Sequence, residues 1–158
     1  MTEIFEFDNS FAHKMEGFYV PISGAKAPKP EMVLFNTELA RELGLDAEAL
    51  NSATGAEIFS GSEMPEGAAS IAQVYAGHQF GGFSPQLGDG RALMVGEVID
   101  KYGKRRDIQL KGSGPTPFSR NGDGKAVLGP VLREYLFGEA MHALGIPTSR
   151  PLAAVTTG

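Results

Sequence analysis

Two glycine-rich segments, residues 71–90 and 112–130, bracket a stretch that alternates apolar and polar residues. Four of the ten residues 81–90 are glycine, so the backbone there turns tightly or comes very close to something else. Between the two segments the alternation predicts a strand over Arg91–Val98, a turn over Lys101–Lys104 and a second strand over Asp107–Leu110 that ends at Lys111. In that second strand Ile108 and Leu110 share one face, which puts Gln109 and Lys111 on the other. After the second glycine segment, Leu132, Leu136, Ala140 and Leu144 form an i, i+4 stripe, and a helix is expected over Val131–Leu144. Pro130 suits its first turn, Gly145 its end, and Pro147 blocks its continuation. A closing strand is expected over Arg150–Thr156. With 21 glycines and 10 prolines in 158 residues, the whole reads as a loop-rich α+β chain rather than a helical bundle.

Upstream, residues 1–30 read as an extended or irregular arm, anchored by Phe5, Phe7 and Phe11 and broken by Pro21, Pro28 and Pro30. A short helix over 37–43 is capped by Asn36 or Thr37, and Asp46 caps another turn through Leu50. Residues 51–70, small and polar, read as a connector. Two parts are therefore expected: an N-terminal extension with short helices over 1–70, and a lobe over 71–158. The order within that lobe is hairpin, lysine-bearing strand, glutamate-bearing helix and strand, which is the order of the small lobe of a protein-kinase-like fold.

Composition removes several function classes. The formal net charge of −5 lacks the basic footprint of a nucleic-acid binder. Lys101, Lys104, Arg105 and Arg106 cluster, but around Tyr102 and Gly103 they read as a solvated hairpin tip. Without cysteine there are no disulfides, Cys-based metal sites or Cys nucleophiles. His13, His78 and His142 are too scattered in sequence for a zinc site. No run approaches the roughly 20 apolar residues of a membrane span. The acidic start MTEIFEFDNSF lacks the pattern of a secretory signal, so a cytoplasmic protein is the expectation.

The residues that point to chemistry sit around the glycines. GDGRA at Gly88–Ala92 recurs as GDGKA at Gly122–Ala126. Glycines let backbone N–H groups approach an anion, and the cation that follows, Arg91 or Lys125, offsets phosphate charge. Two ordinary Asp-Gly turns are the plainer reading. Neither copy is a P-loop, since no Gly-Lys-Ser/Thr closes it, and neither is a strict GxGxxG. Lys111 ends a strand, and Glu134 follows on a helix; in kinases such a pair holds an ammonium ready for phosphate. Arg133 and Glu139 mark the alternative, in which Glu134 is one more exposed helix residue. Tyr75 and His78 form a possible acid/base pair, although a histidine packed near Phe80 and Phe83 is the simpler account. Ser113, Thr116 and Ser119 lack any triad or nucleophile-elbow context and are read as loop and capping residues.

The segments YAGHQFGGFSPQLGDGRA, DIQLKGSGPTPFSRNGDGKA, REYLFGEAM and LGIPTSRPLAAVTTG resemble the selenoprotein O family, which includes the bacterial YdiU-type proteins. FDNSFA and NTELARELGLD are similar to that family too, so the resemblance covers nearly the whole chain. It implies a kinase-like (pseudokinase) fold that binds ATP with Mg2+ and transfers AMP to Ser, Thr or Tyr hydroxyls of proteins. The nucleotide would be flipped relative to kinases, presenting the α-phosphate. By motif, Gly88, Gly90, Arg91, Asp123 and Gly124 would line the nucleotide site, Lys111 would contact phosphates and Glu134 would hold Lys111 in place. The sequence departs from the family in having Lys125 after the second GDG, where an Arg is common, and Phe83 where a Trp is frequent. The resemblance also implies a large lobe, with the catalytic Asp, the metal ligands and two further arginines, beyond Gly158. On that basis no catalytic or metal-binding residue is expected within this chain.

Three functional readings follow. The first is the N-terminal part of a protein adenylyltransferase, inactive alone but contributing phosphate binding. The second keeps the fold and transfers the γ-phosphoryl group, as a conventional kinase does. The third is a non-catalytic nucleotide-binding module. An isolated small lobe is also expected to expose apolar surface and to self-associate.

Overall fold

The computed structural model describes residues 4–158; the first three residues of the arm expected over 1–30 lie outside the described residues. The chain is α+β, with antiparallel sheets throughout. In order it forms α1 (Ser10–Lys14), β1 (Tyr19–Pro21), β2 (Glu31–Phe35), α2 (Thr37–Glu42), α3 (Ala47–Leu50), α4 (Ala53–Ser60), β3 (Ile71–Gln73), β4 (Gly77–Gln79), β5 (Gly82–Ser84), β6 (Ala92–Ile99), β7 (Arg105–Lys111), α5 (Leu128–Ala143) and β8 (Ala153–Thr156). The main sheet has the order β1-β3-β6-β7, while β2-β8 and β4-β5 form two-stranded ribbons.

The long hairpin β6–β7 organises the rest. Leu93 to Val98 of β6 are all buried, as suits an inner strand, whereas β7 keeps the alternation of an edge strand and buries only Ile108 and Leu110. Leu93, Val95, Ile108 and Leu110 meet Leu39, Leu43, Leu45, Leu50 and Ile58 from the short helices in one core. At the hairpin turn the Asp100 carboxylate accepts from the N–H groups of Tyr102 and Lys104, both at 2.9 Å. Its pKa lies below the ordinary carboxylate value, because these bonds and the Arg106 guanidinium at 2.9 Å outweigh the effect of burial. Arg105 pairs with Asp8 and Glu97, so this basic cluster is partly neutralised rather than simply solvated.

Residues 4–70 and 71–158 share their sheets and core. β1 pairs with β3, β2 pairs with β8, and Phe7 bridges to Val98. Over residues 4–30 the arm is more ordered than its prolines suggest. Phe5 is buried and stacks on Phe7 at 5.1 Å, and α1 begins where Phe11 N donates to the buried Glu97 carboxylate. Asn36 and Asp46 cap α2 and α3 by accepting from the N–H groups of Leu39 and of Glu48 and Ala49.

Two expectations need correction. Residues 53–60, read as connector, form α4, with Ser52 accepting from Gly55 N at its start and Gly61 in the left-handed region at its end. Small residues and an internal glycine mask its periodicity, although Ile58 and Ala56 are buried. The helix expected over 131–144 starts at Leu128, and its apolar stripe does not enter the core. Leu136 and Leu144 are 67% and 74% exposed, and no residue of α5 is buried. Periodicity reports an apolar face and not the presence of something to cover it. Among the described residues, no helix is long and apolar enough to cross a membrane.

Candidate functional site

The chemistry-bearing residues collect at one end of the main sheet. Ala92 at the start of β6 pairs with Lys111 at the end of β7, so the segments that precede and follow these residues emerge together. The first glycine segment enters as the β4–β5 hairpin and its return, and the second leaves β7 through Gly112, whose N–H donates to the Arg91 carbonyl at 2.8 Å.

The second segment folds onto the first. Thr116 Oγ1 donates to the Asp89 carbonyl and Ser119 Oγ to the Gly90 carbonyl, each at 2.5 Å. Gly88, with φ +60°, lies so close to the Phe118 ring that a Cβ would sit 2.5 Å from it. Farther along, Gly114 N donates to the Gly124 carbonyl at 3.4 Å. Gly124 has φ +67°, and a Cβ there would fall 1.9 Å from the Gly114 carbonyl oxygen. Thr116 and Ser119 thus tie the two loops together, a role wider than capping.

The two GDG aspartates differ. Asp89 is buried; its carboxylate accepts from Gln73 N at 3.0 Å and from the Tyr75 hydroxyl at 3.1 Å. Burial, and then the Asp89 charge, push the Tyr75 hydroxyl pKa up. Asp123 is exposed and only accepts from Lys125 N, at 2.9 Å. His78 does not meet Tyr75's partner; it stands half-turned against Phe83 at 5.2 Å on an exposed hairpin whose tip residue, Phe80, is 98% exposed.

Lys111 projects from the outer face of β7, and its Nζ donates to both Glu134 carboxylate oxygens, at 2.8 and 2.9 Å. Both side chains remain about half exposed (48% and 56%), so the pair stays open to an added ligand. Glu139, five residues on, is engaged elsewhere by Arg150. Arg91 is exposed and Lys125 half-buried, and neither joins an ion pair among the described residues.

A cleft of about 1290 Å3 opens between β7, β8 and α5. Lys111, Lys125 and Glu134 line it, together with Tyr135, Gly112 and Ser113. Gly88, Gly90, Arg91, Asp123 and Gly124 do not; they belong to the loop stack beside it. The structure thus brings Lys111, Glu134 and Lys125 to the lining of one cleft and keeps the remaining candidates in the adjoining loops. Among the described residues, no group of three His, Asp or Glu side chains is placed to hold a metal ion. The Arg150 cluster had no local sequence signal, since Glu42, Glu139 and Arg150 meet only in the fold.

Comparison with known proteins adds a family to this geometry. A protein nucleotidyltransferase YdiU from Cereibacter sphaeroides is 68% identical over 154 residues, covering 98% of this chain and 32% of that protein. Proteins of the same name from Rhodopseudomonas palustris and Methylorubrum populi are 62% and 60% identical over 158 residues, again covering 32% of their length. The chain therefore spans about a third of the curated relatives it matches. The family model described as protein adenylyltransferase SelO matches residues 2–158, and with these relatives it establishes that the chain belongs to the SelO family.

Proposed function

We propose that this chain is the kinase-like small lobe of a protein adenylyltransferase and holds the phosphates of ATP. The observation that carries the reading is the Lys111–Glu134 pair. A carboxylate that receives two hydrogen bonds from one ammonium fixes that ammonium in place. The pair is half exposed beside two glycine loops, where a phosphate can be added as a further partner.

The residues fit a polyphosphate. Lys111, Arg91 and Lys125 supply positive charge from three neighbouring segments at one end of the sheet. Gly90 and Gly124 keep side chains away from the loop backbones. In AMP transfer a protein hydroxyl attacks the α-phosphorus, the bond to the β-phosphate oxygen breaks, and pyrophosphate leaves. Lys111 would orient the phosphates and stabilise the charge that develops on their oxygens, with Glu134 restraining it. Magnesium would further neutralise the phosphates. We assign its ligands, and the group that activates the acceptor hydroxyl, to the portion of the relatives that this chain does not span.

Two measurements test the reading. Titration of the chain with Mg2+ and ATP is expected to give saturable binding that weakens at least tenfold in Lys111→Ala and in Arg91→Ala; variants that bind as tightly as the wild-type chain contradict it. In the Cereibacter sphaeroides relative, label from α-labelled ATP is expected on protein and lost when the lysine aligned with Lys111 becomes alanine. Label from γ-labelled ATP alone would make the family member a conventional kinase. No label despite binding would leave a nucleotide-binding module.

A further inference from the structure

Helix α5 carries Glu134, yet its sixteen residues include none that is buried. A helix without a buried apolar face takes its orientation from other contacts. Beside the packing of half-buried residues on β8, two ion pairs tie α5 to the rest of the chain. Toward its N-terminal half Glu134 meets Lys111. Five residues later Glu139 accepts from Arg150 Nε at 2.9 Å and from Nη2 at 2.8 Å, the two-pronged geometry a planar guanidinium allows.

The third nitrogen of the same guanidinium turns away from α5. Arg150 Nη1 donates to Glu42 Oε2 at 3.0 Å, on the last residue of α2. That helix is fixed in the core by Leu39 and Ala40, and its Glu42 carbonyl accepts from Lys101 N at 3.1 Å. Its capping residue Asn36 donates from Nδ2 to the Pro151 carbonyl at 3.4 Å, next to Arg150. The Arg150 side chain is only 16% exposed. At Gly138, α5 lies so near this segment that a Cβ would stand 2.9 Å from Pro151 Cδ. Arg150 therefore connects a core-fixed helix to one that has no buried side chain of its own.

We infer that Arg150 is a positioning residue: by linking Glu42 of α2 to Glu139 of α5, it sets the helix orientation at which Glu134 reaches Lys111. Residues 134 and 139 lie about 7.5 Å apart along one rigid helix, so a swing of α5 about its C-terminal half displaces Glu134. The functional consequence rests on the reading of Lys111 as a phosphate-holding cation; the geometric link does not.

A water-soluble carbodiimide separates the two. It joins a carboxylate to a touching amine as an amide, and mass spectrometry reads the Lys111–Glu134 product against the Lys26–Glu63 product, an ion pair between two loops away from α5. In Arg150→Met with unchanged far-ultraviolet dichroism, the normalised Lys111–Glu134 yield is expected to fall about fivefold, the scale of coupling between residues in one network. Glu42→Gln is expected to lower it in the same direction, and it replaces Arg150→Met should that variant not fold. Arg150→Lys, which keeps a cation between Glu42 and Glu139 but loses the planar fork, is expected to recover part of the yield. Full yield in a folded Arg150→Met or Glu42→Gln variant overturns the inference, as does an Arg150→Lys variant that gives no more product than Arg150→Met. Nucleotide titration is scored apart: if the wild-type chain binds no ATP, the phosphate reading falls while the cross-link still decides the role of Arg150.

Discussion

Asp89 and Asp123 occupy the same place in two copies of one motif and yet have different surroundings. Asp89 is enclosed and satisfies Gln73 N and the Tyr75 hydroxyl, whereas Asp123 faces solvent with a single local bond. Replacing a buried carboxylate by an amide turns one acceptor oxygen into a donor and leaves a buried group unmatched. Asp89→Asn is therefore expected to lower unfolding free energy by about 1–3 kcal/mol, while Asp123→Asn leaves the urea midpoint unchanged. Equal shifts in the two variants would contradict the distinction. Gly124 makes a second test at this scale. Its left-handed φ and the 1.9 Å approach of the Gly114 carbonyl leave no space for a methyl group. Gly124→Ala is expected to cost about 1–3 kcal/mol in urea denaturation, through backbone strain and displacement of the loop neck. It is also expected to weaken ATP binding if that loop lines the nucleotide.

Helix α5, none of whose residues is buried, is tied to the fold by ion pairs, and pH exposes this. Hydrogen bonds from Arg150, opposed by burial, hold the Glu139 carboxyl below its ordinary pKa. A carboxyl lowered on folding contributes stability that is complete above its unfolded value, near 4.3, and is lost as pH falls through the lower folded value. Thermal melts should thus separate wild type from Glu139→Gln at neutral pH, and the gap should narrow as pH falls below the unfolded value. A gap that persists in acid would place the effect in packing. The contrast between α5 and β7 also shows what the sequence can tell. Strand parity at Ile108 and Leu110 was legible because a period of two needs only neighbouring residues. The caps at Asn36 and Asp46 were legible for the same reason. In α4, Gly55 and small residues hid the helix, and the one local clue was Ser52. The β2–β8 pairing joins Glu31 to Thr156 across most of the chain, a contact that local pattern does not encode. At the site, the strand of Lys111 and the helix of Glu134 are legible in the sequence, but the 2.8 Å separation of the two side chains is a property of the fold.

For the whole molecule the balance of buried and exposed apolar surface is uneven. The core under β6 is well filled, yet Leu136 and Phe137 stand 67% and 60% exposed on α5, flanked by Val127 at 73% and Leu144 at 74%. The cleft of about 1290 Å3 on the inner side of the same helix leaves it lightly supported from both directions. Soluble monomers rarely leave large contiguous apolar surface in water, because covering it releases about 25 cal/mol per Å2. These four side chains add nothing to the core, so polar replacements there should cost little stability. The chain is accordingly expected to associate as its concentration rises, with a sedimentation coefficient that grows across the micromolar range. The double variant Leu136→Lys, Phe137→Lys is expected to keep the wild-type melting temperature within a few degrees and to sediment as a monomer. A wild-type chain that stays monomeric at every concentration would show that exposure of α5 does not drive self-association. A double variant that melts far lower would show instead that these side chains pack in solution, and that α5 is held by more than the Lys111 and Arg150 contacts.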